Sequence, residues 1–117
     1  LVHDPQVARD TRSGRVTLSG YVWVREGENW VRRFVALVRP PAACVFASHI
    51  AYEAARGSLD AALQRVDMSD AAVTLVPNDE FDVPFVLRVE AGGVRLELRI
   101  ASALEYQAWV TALMGVA

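Results

Sequence analysis

Between Arg15 and Ile100 the apolar residues recur in short runs with a period of two, and after Ile100 the period changes once, to about 3.6. That switch constrains the fold more than any other feature, because many half-buried strands and one amphipathic helix must then share a core. Val16, Leu18, Gly20, Val22 and Val24 alternate with Thr17, Ser19, Tyr21, Trp23 and Arg25, as along a strand. "EGEN" supplies a turn, and Trp30 to Val38 forms a second strand rich in β-branched and aromatic residues, so the two make a hairpin. Pro40 and Pro41 stop it, since neither donates a ladder hydrogen bond, and Cys44 to Ser48 offers a third run. Further strands are expected at Ala71 to Val76, Phe85 to Glu90 and Val94 to Ile100, separated by "PNDEFDVP" and "AGG". His49 to Leu63 carries no clear period. A loop leading to a strand over Gln64 to Met68 is the preferred reading there, with a short helix from Ser58 as the alternative. In "SALEYQAWVTALMGVA", Ser102 and Glu105 form a capping box, and Tyr106, Trp109, Val110 and Leu113 share one helical face. The expected architecture is mainly β with one C-terminal α-helix, roughly seven antiparallel strands closed by a helix whose core residues are Trp109, Tyr106 and Leu113.

At 117 residues the chain can bury one core but not two. Residues 1–14 lack a period and read as a flexible arm, and 15–117 as the domain. Every apolar run is far shorter than the roughly 18 residues of a membrane span. The chain starts at Leu1 rather than Met and reads as a piece of a longer protein without a visible signal peptide. Cys44 is the sole cysteine, which rules out an internal disulfide and fits a reducing, cytoplasmic setting. A formal charge of -2 argues against nucleic acid as a partner, because such binding draws on clustered cations that neutralise phosphates.

Catalysis finds little support. Cys44 with His49 suggests a nucleophile and base, but neither oxyanion donors nor an orienting carboxylate converge by spacing, and a buried strand cysteine is the simpler reading. His3, His49 and Cys44 do not make a metal set. Asp79, Glu80 and Asp82 in "NDEFD" lack the spacing of a calcium loop and read as a solvated turn. No cofactor and no metal are expected.

The hairpin "GYVWVREGENWVRRFVAL" resembles the first hairpin of pleckstrin homology (PH) domains, of the type G-x-L-x-K followed by W-K-R-R-W/Y-F-x-L. The terminal "ALEYQAWVTAL" resembles the closing helix of that family with its core tryptophan, here Trp109. The resemblance runs from Gly14 to Val116 and implies a curved, nearly orthogonal β-sandwich plugged at one end by the helix, with a docking role rather than a catalytic one. In family members that hold phosphoinositides, a Lys late in the first strand and a Lys-x-Arg early in the second point into the open end and grip the phosphates. The matching positions here are Val24, Val31 and Arg33, of which only Arg33 is charged. A charge-assisted hydrogen bond contributes about 1.5 to 3 kcal/mol, so two absent lysines forfeit roughly 3 to 6 kcal/mol. At about 1.4 kcal/mol per tenfold, a roughly micromolar headgroup affinity falls to millimolar or worse. Glu26 and Glu28, where phosphates would approach, add repulsion.

Arg25, Arg32 and Arg33 are the candidate residues for phosphate or anionic lipid; the competing reading pairs Arg25 and Arg32 with Glu26 or Glu28 on a solvated face. Tyr21, Trp23, Trp30 and Phe34 alternate onto the outer face of the hairpin and read as a protein-docking face, or as residues covered by the arm or the long loop. The expected function is a non-catalytic docking module acting through a protein partner or a neighbouring domain of the parent chain. The alternative is a peripheral membrane module that touches anionic lipid weakly through the three arginines.

Overall fold

The structure is a computed structural model and describes residues 15–39, 41–56 and 58–116; the expected arm lies outside them. Seven antiparallel strands, β1 (Arg15–Glu26), β2 (Asn29–Arg39), β3 (Ala42–Phe46), β4 (Gln64–Asp67), β5 (Ala72–Val76), β6 (Val86–Ala91) and β7 (Val94–Arg99), join in one sheet of order β4-β3-β2-β1-β7-β6-β5. Among the described residues two α-helices accompany them, α1 (His49–Ala55) and α2 (Ala103–Val116). β1 connects the two halves of the sheet. It pairs with β2 from Arg15↔Arg39 to Glu26↔Asn29, but with β7 only at Trp23↔Arg99 and Val24↔Leu98. Val22, Val24, Val35 and Leu37 of the hairpin share one core with Val66 of β4 and with Leu87, Leu96 and Leu98 of β6 and β7. Strands from both halves therefore line the same interior, and the sheet curves around it.

α2 closes that interior as its period requires. Trp109 and Leu113 are buried in the main core, with Tyr106 and Val110 packed beside them, and Trp109 lies over Gly20 of β1. Ser102 starts the helix: its hydroxyl accepts from the Glu105 N–H at 3.2 Å and lies 3.2 Å from Oε1 of Glu105. The capping box thus closes on the serine hydroxyl instead of the serine backbone.

Two features depart from the sequence-based expectation. The register of β1 against β2 slips between Val16 and Leu18, so Thr17 is an inserted residue. A bulge reverses the faces on either side of it. Val16 consequently sits in a second core with Phe34, Ala36, Val38, Cys44, Phe46 and Tyr52, on the opposite side of the hairpin from Val22 and Val24. That second core exists because the stretch from His49 is not a loop. It opens as α1, a second helix beside the single one expected, followed by a 3₁₀ turn at Leu59–Ala61 close to the alternative helix start. Ser48 caps α1 by accepting the Ala51 N–H at 3.1 Å, three alanines favour it, and Arg56 ends it in a left-handed conformation. Tyr52 is its buried residue, with ring centroids 5.1 Å from Phe34 and 5.2 Å from Phe46. Ser48→Ala should cost about 1 kcal/mol. By circular dichroism that lowers the melting midpoint by roughly 4 to 8 °C, and an unchanged midpoint would mean that α1 adds nothing to stability.

Candidate functional site

Two candidate surfaces lie on opposite faces of the β1–β2 hairpin, and strand alternation decides which residue belongs to each. The inner one is the position at which the resemblance places phosphate. Val24 faces inward and is 1% exposed within the main core, and its register partner Val31 is half-buried. Arg33, opposite Val22, turns its guanidinium to Glu26: Nε donates to Oε2 at 2.9 Å and Nη2 to Oε1 at 3.0 Å. This two-pronged geometry suits the planar fork of arginine. The hydrogen bond from Arg33 holds the Glu26 carboxyl below the usual carboxylate range, outweighing a small opposing effect of burial. The same bond raises the pKa of Arg33. A phosphate reaching Arg33 would first have to displace a carboxylate ionised at neutral pH.

On the outer face the arginines lie on rings. Arg32 sits with its guanidinium 3.9 Å from the ring centre of Tyr21. Arg25 lies between Trp30, at 5.4 Å, and Phe81, at 4.9 Å; those two rings meet edge to face with centroids 5.5 Å apart. Arg99 of β7, the register partner of Trp23, lies 5.8 Å from that indole. Among the described residues Arg25, Arg32 and Arg99 have no carboxylate partner, whereas Arg33, Arg65, Arg88 and Arg95 each do. The pairing of Arg25 and Arg32 with Glu26 or Glu28 is therefore not seen. Nor do Arg25, Arg32 and Arg33 converge, since Arg33 points to the opposite side of β2 from Arg32.

Of the four aromatics expected on the outer face, Tyr21, Trp23 and Trp30 are partly exposed, but Phe34 is not. Phe34 is 1% exposed beneath α1, with ring centroids 5.3 Å from Tyr21, 4.9 Å from His49 and 5.1 Å from Tyr52. The long loop, folded as α1, covers that end of the face. The hydroxyl of Tyr21 fastens it there by accepting the His49 N–H at 2.8 Å. Phe81 and Arg99 join the strip without having been expected. A phenylalanine among the acids of "NDEFD" was a visible anomaly, whereas Arg99 needed the non-local pairing of β1 with β7.

The remaining candidates do not assemble. Cys44 is buried in β3, and burial pushes its thiol up to about 11, only partly offset by Arg65, which leaves little thiolate at neutral pH. Glu80 is taken by Arg88, which also meets Glu97 at 2.7 Å. Among the described residues no three His, Cys, Asp or Glu side chains stand close enough to hold a metal ion, and no helix is long and apolar enough to cross a membrane. A cleft of about 710 Å³ runs between α2 and the start of β1, and Arg39 is among its lining residues.

No family model and no curated protein matches the sequence. Solved structures do match the fold. The C-terminal PH domain of human pleckstrin superposes with a TM-score of 0.69 at 16% identity, covering 97% of this chain and 96% of that one. The PH domain of human pleckstrin homology domain-containing protein family A member 5 gives 0.69 at 12% identity, covering 99% and 87%. A pleckstrin C-terminal PH domain in complex with D-myo-Ins(1,2,3,5,6)P5 gives 0.66 at 17% identity, covering 88% and 96%. The chain has the PH fold.

Proposed function

We propose that this chain is a non-catalytic docking module of a larger protein, working through protein contacts and not through a phosphoinositide pocket. The fold is one that generally serves binding. The observation that carries the finer reading is the two-pronged Arg33–Glu26 pair beside a Val24 buried in the core. The pleckstrin domain of the same fold is complexed with an inositol phosphate. The corresponding mouth in this chain has one arginine, already engaged, and valines where lysines would grip.

The pair also fixes the pH range of this state. Because the folded pKa of Glu26 is lowered, the interaction is present above the ordinary carboxylate value and is lost as pH falls through the depressed one. It stands throughout the neutral range. Its side chains are 24% and 41% exposed, so its role here is to occupy Arg33 more than to stabilise the fold. Titration calorimetry with inositol hexakisphosphate at pH 7 should give a dissociation constant of about 1 mM or weaker. A submicromolar isotherm that disappears in Arg33→Ala would instead establish a working headgroup pocket.

A further inference from the structure

We infer that the outer strip formed by Tyr21, Trp23 and Arg25 of β1, Arg32 of β2 and Arg99 of β7 is a docking surface, and that its partner is an extended acidic polypeptide segment. This rests on the docking role proposed above. Tyr21, Trp23 and Arg25 follow one another on the outer face of β1, and Trp23 is flanked in register by Arg32 on one side and Arg99 on the other. The strip is therefore continuous across three strands at its centre.

Its charges differ from the paired arginines of the same chain. Arg33, Arg65, Arg88 and Arg95 face carboxylates, whereas Arg25, Arg32 and Arg99 lie on aromatic rings and have no carboxylate among the described residues. A guanidinium resting on a ring keeps its edge donors available, and the ring limits the freedom that would be lost on capturing a carboxylate. Interleaved aromatics and arginines also make the composition that dominates the energetics of protein interfaces. Positive charge gathered in one place on a chain of net charge -2 calls for an acidic partner.

The surroundings of the strip favour a narrow partner over a broad one. At its Trp30 end stand the hairpin turn with Glu28 and, brought against Trp30 by Phe81, the loop that carries Asp79 and Asp82. An anionic bilayer pressing on this end would meet those carboxylates and be repelled. A segment one strand wide can engage Tyr21, Trp23, Arg32 and Arg99, which lie back from that end.

Fluorescence anisotropy of labelled oligo-glutamate with the intact chain tests this, with oligo-lysine as the charge-reversed probe. The expected result is saturable, salt-sensitive binding of oligo-glutamate alone, weakened about tenfold or more in the Arg32→Gln/Arg99→Gln double variant and unchanged in Arg95→Gln. Both variants lie at the surface, and circular dichroism verifies that they fold. Absence of saturable binding, or an affinity indifferent to the double variant, would overturn the inference. So would binding to phosphatidylserine vesicles that depends on Arg32 and Arg99 while oligo-glutamate fails to bind, an outcome that makes the strip a membrane contact. Inositol hexakisphosphate titrated against Arg33→Ala is run in parallel. A silent mouth with no peptide binding refutes the surface alone, and a working mouth refutes the docking role itself.

Discussion

Trp109→Ala is expected to destabilise the domain by about 3 to 5 kcal/mol, because it removes an aromatic side chain from a core that cannot collapse to fill the space. Trp109 is only 5% exposed and reaches the main core with Leu113, packing across to Gly20 on β1. β1 and β2 hold one side of that core and β6 and β7 the other, while β1 meets β7 at only two register pairs. Losing the indole would therefore loosen the helix and the junction of the two halves together. Domains of this size have total stabilities of roughly 5 to 15 kcal/mol, so urea unfolding should show a variant that is marginal or unfolded. Leu104→Ala on the same helix is the control: Leu104 is 79% exposed, and the change should stay within about 0.5 kcal/mol. If Trp109→Ala melts within a few degrees of the parent, α2 is not what closes the sheet.

The parts of the fold that could be read from the sequence are those that repeat. The hairpin, the later strands and α2 each carry several turns or alternations of one period, and a repeated pattern survives local irregularity. α1 does not repeat enough: its seven residues bury Tyr52 alone, so no stripe is visible, and only the Ser48 cap marks its start. Without that helix the sequence leaves open whether Phe34 is bare or covered by the long loop; Phe34 lies under Tyr52, so the cover is the long loop. Val16 was misplaced for a different reason, because strict alternation has no room for the extra residue at Thr17. At the site, alternation correctly separated Arg33 from Arg32, but proximity in sequence was a poor guide to partners. Arg25 stands next to Glu26 in the chain and yet lies on Trp30, while Arg33, seven residues away, takes that carboxylate. Adjacent residues of a strand point to opposite faces, so next-neighbour charge pairs are the ones a sheet least allows.

The same geometry says how headgroup binding would be created. Val31→Lys with Glu26→Gln should bring inositol hexakisphosphate binding from undetectable to roughly micromolar, since one charge-assisted contact is added and Arg33 is released for a second, together about 3 to 6 kcal/mol. Val31 is half-buried near the hairpin turn, so a lysine there can lay its stem on the apolar face and carry its charge to solvent. Val24 is the poorer place for the other lysine that the family pattern would supply. At 1% exposure and packed among Val22, Val35 and Leu98, a charge there would be desolvated without a partner. The order of effects is what discriminates. Val31→Lys alone and Glu26→Gln alone should each gain about as much as one contact, and only the pair should reach the full change. If Val31→Lys alone matches the double variant, the Arg33–Glu26 pair is not what keeps this mouth silent, and the missing lysine is the whole explanation.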